Sequence, residues 1–164
     1  MKLSLFSLFV VLSSASVFGE TQTVAITSEG STVAEITVPH SANTKVTSAK
    51  EKTIIDTKDM VLDIWVAPKA KTVAEAIDGL DEIIKSEVLK FSPASTESIT
   101  VAGAEGKHLK GKGLEADDQD PATADVVVFT VGKTVLVACV HGEGATAVKQ
   151  RQPMLNALKT VKAP

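Results

Sequence analysis

The three histidines, His40, His108 and His141, are the residues best suited to acid–base or metal chemistry. His40 follows Pro39 in a turn-like segment, His108 lies among lysines, and His141 ends an apolar run just before a glycine. No two of them stand at the close spacing of local metal ligands, so a zinc site would need residues that only the fold brings together. We therefore predict no metal and no cofactor.

Nucleophilic chemistry has little support in the sequence. Cys139 is the single cysteine and lies in the apolar run 135–140, which predicts a small buried hydrophobic residue that forms no internal disulfide. The chain has no Gly-x-Ser-x-Gly motif. A hydrolase that uses His141 stays as an alternative, because a fold can bring a serine to a distant histidine. The prediction is a protein that is not an enzyme.

Trp65 and a group of basic residues form the candidate interaction surface. Strict alternation places Trp65 with Val61 and Asp63, opposite the more apolar side of the segment 60–66. The tryptophan is then either covered by a helix or exposed as an anchor for a partner. The lysines of 107–112 lie on a polar strand, where they either contact an acidic ligand or prevent edge-to-edge aggregation. The candidate residues are Trp65, Lys107, His108, Lys110, Lys112 and His141.

The composition excludes several classes of partner. The chain has 164 residues with 17 basic and 20 acidic side chains, a formal net charge of −3, and Arg151 is its one arginine. That balance disfavours binding to nucleic acid or to anionic membranes. Aromatic residues make up 4% of the chain, which leaves few stacking platforms for sugars or single-stranded nucleic acid.

Residues 1–19 have the layout of a secretory signal peptide. Lys2 precedes an apolar run over 3–12, and small residues follow. The run is too short to span a bilayer comfortably. Cleavage is expected after Gly19, or alternatively after Ala15, which leaves a single globular domain over 20–164 in the periplasm or outside the cell. An uncleaved membrane anchor is the alternative; after cleavage, no stable membrane insertion is expected.

Two strand pairs open the predicted domain. Residues 21–28 and 32–38 alternate on either side of a Glu29-Gly30 turn, which is typical of a hairpin. Residues 52–58 and 60–66 form the second pair. Pro39 and Pro68 follow the two pairs, since proline cannot donate to a strand ladder.

A helix over Thr72–Leu89 is predicted next, because Thr72-Val73-Ala74-Glu75 matches a capping box and apolar residues recur at helical spacing. A strand pair follows it, over 98–102 and 105–114, with Gly103 between them as the pivot of a hairpin. Residues 124–131 and 133–140 are almost continuously apolar, which predicts strands at the centre of the sheet, joined as a short hairpin at Gly132-Lys133. A closing helix is predicted within 145–162, either kinked at Pro153 or starting near Gln152.

The order of these elements resembles the PsbP-like superfamily. The resemblance lies in the strands ending at Val38-Pro39, the pair ending in Trp65-Val66-Ala67-Pro68, the helix after Thr72, and Ile99–Gly103 leading into 105–114. It covers nearly all of the predicted mature chain and involves a pattern of elements rather than a diagnostic motif. It implies an α+β fold with a central, mostly antiparallel sheet of about six to eight strands and two main helices, an α/β/α sandwich. This chain departs from the lipoprotein members, because it has no cysteine to carry a lipid near the cleavage region.

The superfamily also implies a role. Its members are mostly non-catalytic and include extrinsic photosystem subunits, small-GTPase-binding proteins, and bacterial envelope proteins or secretion chaperones. We therefore predict an exported, non-enzymatic accessory or binding protein of the cell envelope, whose partner is another envelope protein or a small apolar ligand and not nucleic acid. The alternatives are a carrier with an apolar pocket between helix and sheet, and the hydrolase named above.

Overall fold

The computed structural model describes residues 20–164, so the predicted leader over 1–19 lies outside the described residues. The described chain begins with a two-stranded hairpin of β1 (Thr21–Ser28) and β2 (Ser31–Pro39). Glu29 and Gly30 form its turn with positive φ angles of 50° and 83°, a backbone conformation that glycine adopts without strain. The first predicted hairpin is confirmed.

A seven-stranded sheet forms the centre of the fold, and all of its strand pairs are antiparallel. Its strands are β3 (Lys45–Ser48), β4 (Lys52–Asp56), β5 (Val61–Val66), β6 (Val88–Val101), β7 (Ala104–Glu115), β8 (Pro121–Val131) and β9 (Thr134–Gly142). The order across the sheet is β3-β4-β5-β9-β8-β7-β6. The two most apolar strands, β8 and β9, lie in the interior of the sheet as predicted, because both of their faces are covered.

The first helical region differs from the prediction. In place of one helix over Thr72–Leu89 there are two short ones, α1 (Val73–Asp78) and α2 (Leu80–Ile84), which meet at Gly79. Thr72 caps α1 by accepting a hydrogen bond from the Glu75 backbone N–H at 3.1 Å, as the capping box predicts. The predicted helix extends too far, because Val88 and Leu89 already belong to β6.

Strand β6 is 14 residues long and begins well before the predicted strand at 98–102. It forms one edge of the sheet, where Pro93 is tolerated because no second neighbour needs its missing N–H. The register with β7 shifts twice, between Leu89 and Ser92 and between Pro93 and Ser95. The short edge strand β3 at the opposite side was not predicted; all four of its residues are exposed, so it has no buried face to produce an apolar pattern.

The closing helix α3 (Ala145–Leu158) contains Pro153 within it. It packs on one face of the sheet together with the β1–β2 hairpin, around side chains such as Ile36, Leu62, Phe129 and Met154. The opposite face is covered by α1 and α2, in a second core that includes Trp65, Ala76, Ile84, Val126 and Val137. The α+β prediction is confirmed, with helices on both faces of an antiparallel sheet. Among residues 20–164, no helix is long and apolar enough to cross a bilayer.

Candidate functional site

Five ionisable side chains from separate parts of the chain converge on the α1–α2 face of the sheet, and we call them the polar cluster. Lys52 begins β4, Asp63 lies in β5, Glu87 follows α2, Glu115 ends β7 and His141 is near the end of β9. The β5–β9 register pairs Asp63 with Cys139, so His141 lies two residues further along β9 on the same face. The sheet therefore brings together residues as far apart in sequence as 52 and 141.

Two backbone hydrogen bonds fix the loops that carry the glutamates. The Ala116 N–H donates to the Glu87 carbonyl at 3.0 Å, which joins the segment after α2 to the end of β7. The Glu115 N–H donates to the Asp120 carbonyl at 2.9 Å and closes the following turn. Both carboxylates consequently approach His141 from positions held by the backbone.

His141 lies between three carboxylates. Its Nδ1 is 2.9 Å from Oε2 of Glu115, a hydrogen-bond distance. Its Nε2 is 3.4 Å from Oδ2 of Asp63 and 3.6 Å from Oε2 of Glu87. Burial by itself lowers the pKa of His141, but the neighbouring carboxylates of Asp63 and Glu115 outweigh it and raise the pKa above its ordinary value.

Lys52 completes the polar cluster from the other side. Its Nζ lies 2.9 Å from Oδ1 of Asp63 and donates to Oε1 of Glu87, so it contacts the oxygens that do not face His141. The ammonium also lies 5.0 Å from the centroid of the Trp65 ring, within cation–π range. Burial lowers the pKa of Lys52, yet the hydrogen bonds to Glu87 and Asp63 outweigh this and raise it.

A second polar group lies on the opposite face of the sheet, beneath α3. The Asp125 carboxylate, 1% exposed, accepts from His108 Nε2 at 2.7 Å and from Arg151 Nε at 2.8 Å. Burial raises the pKa of Asp125, but the hydrogen bonds from His108 and Arg151 prevail and lower it. This arrangement satisfies a buried charge and connects α3 to β7 and β8.

Two residues of the candidate interaction surface, His108 and Trp65, are buried. His108 is only 4% exposed, because its ring faces the buried Asp125 carboxylate. Trp65 is 7% exposed and packs in the α1–α2 core, which agrees with the alternative in which a helix covers it. Neither side chain is available as an exposed anchor. His141 is half-buried within the polar cluster.

The three lysines do not form one stripe. The register between β7 and β8 is regular from Lys107 to Leu114, so Lys107 lies on the opposite face from Lys110 and Lys112. Lys107 pairs with Glu105 at 3.0 Å, and Lys110 pairs with Glu97 at 2.9 Å. Two of the three charges are therefore compensated by neighbours on the same hairpin.

Cys139 is fully buried and lies opposite Asp63 of the polar cluster in the β5–β9 pair. Burial raises the pKa of its thiol well above the ordinary value, and the nearby carboxylates of Asp63 and Asp125 add to this effect. The thiol stays protonated at neutral pH and is a poor nucleophile. Its predicted role as a small buried hydrophobic residue agrees with this position.

Two of the open grooves on the surface of the described chain adjoin its helices. One, of about 590 Å³, runs between the end of β5 and the helices α1 and α2, with Trp65, Ala67, Pro68 and Ile83 among its lining residues. The other, of about 820 Å³, lies between β2, the β4–β5 turn and α3 and has a more polar lining of threonines and lysines. The first groove is adjacent to the polar cluster through Trp65, which Lys52 contacts.

The polar cluster could be anticipated from the sequence only in part. The sequence points to His141 and places Asp63 on one face of its strand with Trp65, but it connects neither of them with Lys52, Glu87 or Glu115. A charged residue inside an apolar strand, as in Val61-Leu62-Asp63-Ile64-Trp65, is a signal that a partner must exist. Nothing local identifies that partner, because it comes from another part of the chain.

No family model and no curated protein matches the sequence. The solution structure of cyanobacterial PsbP (CyanoP) from Synechocystis sp. PCC 6803 is similar to this chain with a TM-score of 0.58 at 12% identity, covering 93% of this chain and 99% of that one. The crystal structure of LpqN, involved in cell envelope biogenesis of Mycobacterium tuberculosis, has a TM-score of 0.48 at 11% identity, covering 89% and 93%. At this identity the likeness to CyanoP establishes the fold and nothing more. The chain has a PsbP-like fold.

Proposed function

We propose that the protein is an exported, non-enzymatic accessory protein of the cell envelope that binds a partner protein through the outer edge of β6. The observation that carries the proposal is the exposure of that edge: seven consecutive residues, 92–98, are exposed on a strand without an outer neighbour. An unpaired strand edge presents N–H and C=O groups that a strand from a partner can extend. The layout of residues 1–19 supports export.

The edge is not uniform along its length. Pro93 lacks an N–H, and the bulges at 89–92 and 93–95 disturb the first half of the strand. From Ser95 to Val101 the pairing with β7 is regular, so this half keeps the continuous strand geometry that strand addition needs. Glu97 lies in this half and pairs with Lys110 of β7, and this charged pair can select the partner.

Site-specific photocrosslinking in the native cell tests this proposal. A photoreactive residue in place of Thr96 should capture one partner protein, whereas the same residue in place of Thr47 should not. Thr47 is a matched control, because it lies exposed in β3 at the opposite edge of the same sheet. Equal capture at both positions, or none at Thr96, would contradict the proposal.

A small apolar ligand carrier is the second candidate, and the groove beside Trp65 is the observation that favours it. The groove has a largely apolar lining from Trp65, Ala67, Pro68 and Ile83, and it lies between helix and sheet. A bound lipid that copurifies and changes the Trp65 fluorescence would support the carrier. An Ile83→Glu variant should abolish that change, and Val148→Glu on the exposed face of α3 serves as the control.

Among the described residues, no contact of His141 supports the hydrolase alternative. Among residues 20–164, the hydrogen-bonding and ion-pair partners of His141 are Glu115, Asp63 and Glu87, and none of them is a hydroxyl or thiol group. A histidine held between carboxylates suits cation binding better than activation of a serine.

A further inference from the structure

We propose that Asp63, Glu87 and His141 form a binding site for one divalent transition-metal cation of the zinc type. The three side chains offer ligand atoms that all lie within 4.8 Å of one another. Imidazole nitrogen and carboxylate oxygen are both ordinary zinc ligands. The proposal is independent of the function proposed above, because the site lies on a different part of the molecule from the edge of β6.

The distances between the ligand atoms match a metal better than a hydrogen bond. His141 Nε2 lies 3.4 Å from Oδ2 of Asp63 and 3.6 Å from Oε2 of Glu87. Most N–H···O hydrogen bonds are shorter, at about 2.7–3.2 Å. A tetrahedral zinc with ligands at about 2.0–2.2 Å separates neighbouring ligand atoms by about 3.3–3.6 Å. Both separations from Nε2 fall at or within this range.

Glu115 sets the tautomer that the site requires. Its Oε2 lies 2.9 Å from Nδ1 of His141, so Nδ1 carries the proton and donates to the carboxylate. In the neutral ring, Nε2 then presents its lone pair toward Asp63 and Glu87. A carboxylate that accepts from the second nitrogen of a metal-binding histidine is the usual outer partner in zinc sites.

Lys52 orients the two carboxylate ligands. Its ammonium contacts Oδ1 of Asp63 and Oε1 of Glu87, while Oδ2 and Oε2 face His141. Each carboxylate thus has one oxygen anchored and one directed at the same point. Ligand carboxylates in metal sites are held in this way by outer hydrogen bonds.

The charge of the polar cluster also favours a divalent cation. Three carboxylates, those of Asp63, Glu87 and Glu115, face the single ammonium of Lys52, which leaves two negative charges when His141 is neutral. A divalent ion neutralises both of them, whereas a second proton on His141 neutralises one. Because the side chains of Asp63, Lys52 and Glu115 are at most 16% exposed, solvent screens this excess only partly.

The site keeps a path to solvent. The Glu87 side chain is 25% exposed and the His141 side chain 17%, so an ion can enter from the side of the loop after α2. Three protein ligands leave a fourth position open for water, as in zinc sites that are not closed by protein. The competing occupant is a second proton on His141, with Nε2–H directed between Asp63 and Glu87.

Calorimetric titration of the metal-stripped protein with Zn²⁺ tests the proposal. We expect one equivalent of Zn²⁺ to bind, and His141→Gln to weaken binding more than about 100-fold, beyond the loss typical of an outer partner. His40→Gln is the matched control and should bind as the unmodified protein does, because His40 is exposed and remote from the polar cluster. Binding that His141→Gln leaves unchanged would overturn the proposal, as would a titration with no saturable equivalent.

Two further variants keep the test decisive if His141→Gln does not fold. Glu115→Gln preserves the shape of the side chain and should weaken Zn²⁺ binding about 10–100-fold. Asp63→Asn should weaken Zn²⁺ binding more than Glu115→Gln does. The control is Asp59→Asn, because Asp59 is exposed.

In nitrogen-15 spectra, Zn²⁺ should shift the signal of Nε2 of His141 and leave Nδ1 protonated. A ring that stays protonated at both nitrogens at neutral pH in excess Zn²⁺ would show that the second proton occupies the site, and would contradict the metal.

Discussion

At the scale of residues, each face of the sheet contains one deeply buried aspartate with its own cationic partners. Asp63 faces Lys52 and His141 on the α1–α2 side, and Asp125 faces His108 and Arg151 on the α3 side. A buried charge without such partners would be strongly destabilising. These contacts therefore belong to the fold as well as to any site built upon it.

Asp125 should make the stability of the protein depend on pH in the acid range. Its folded-state pKa is lowered, so its contribution to the free energy of unfolding is complete above the unfolded-state pKa of about 3.9. The contribution is lost as the pH falls from there through the folded-state pKa. Urea denaturation at a series of pH values should show a smaller acid loss for Asp125→Asn than for the unmodified protein.

The exposed Asp59 supplies the control for this experiment. Asp59→Asn should retain the full acid dependence, because Asp59 lies in the exposed β4–β5 turn. At neutral pH, Asp125→Asn should itself lower the free energy of unfolding by about 1–3 kcal/mol, since two charge-assisted hydrogen bonds weaken. An unaltered acid slope in Asp125→Asn would contradict this role for the carboxylate.

Trp65 contributes to stability through its burial. Trp65→Ala should lower the free energy of unfolding by about 3–5 kcal/mol, the usual loss for a large buried aromatic side chain. Far-ultraviolet circular dichroism during urea denaturation measures this loss without needing tryptophan fluorescence. Val148→Ala, at a 55% exposed position, should change stability by less than about 0.5 kcal/mol. A Trp65→Ala variant as stable as this control would place Trp65 outside the core.

At the scale of elements, the long β6–β7 pair depends on glycines in β7. A Cβ at Gly111 would lie 2.4 Å from the Ser92 carbonyl oxygen and 2.8 Å from the Phe91 ring. Gly113 is confined in the same way by Val88 and Leu89. The bulged backbone of β6 approaches β7 closely at these points, which explains glycines in a strand that otherwise gains nothing from them.

Gly111→Ala should therefore destabilise the protein by about 1–3 kcal/mol, the range for an added methyl group that forces the backbone to shift. Thermal denaturation followed by circular dichroism measures the change. Gly79→Ala is the comparison, because a Cβ there would meet its nearest atom at 3.6 Å, and its effect should stay within about 1 kcal/mol. If both variants were equally stable, the close approach at Gly111 would not exist.

The elements that the sequence predicted well share a simple cause. The hairpins around Glu29-Gly30 and Gly132-Lys133 have strong alternation or apolar runs on both sides of a turn, so local pattern and tertiary packing agree. The helix predicted over 72–89 is too long, because apolar residues continue at helical spacing as far as Val88, where the chain has already joined the sheet. Seven exposed residues in β6 gave no alternation from which to place the strand.

At the scale of the whole molecule, two cores share one sheet. Strands β5, β8 and β9 contribute alternate side chains to both cores, for example Ile64 to one and Trp65 to the other. Neither core can lose its packing without disturbing these strands. The chain should therefore unfold as one unit rather than face by face.

Unfolding curves recorded with two different signals test whether the chain unfolds as one unit. Trp65 is the single tryptophan and reports on the α1–α2 face, while far-ultraviolet circular dichroism reports on the entire sheet and α3. In urea, the two signals should give the same midpoint and slope. A fluorescence transition at clearly lower urea than the circular dichroism transition would show that the α1–α2 face unfolds by itself.

From the sequence alone the class of fold can be predicted, whereas the polar cluster can be predicted only in part. The order of elements along the chain and the α+β class follow from patterns that extend over many residues, and the resemblance to the PsbP-like fold rests on that order. The polar cluster depends instead on five single residues brought together by the register of β5 with β9 and by two loops. No periodic pattern in the sequence indicates that these five side chains lie together, so the cluster can be recognised only in the three-dimensional structure.

Export and a protein partner in the cell envelope, as proposed above, can be tested together by native mass spectrometry of the gently extracted envelope fraction. We expect a chain that begins at Glu20, or at Ser16, in a noncovalent complex with a second protein. A chain of all 164 residues that stays free in the cytosolic fraction would contradict this proposal.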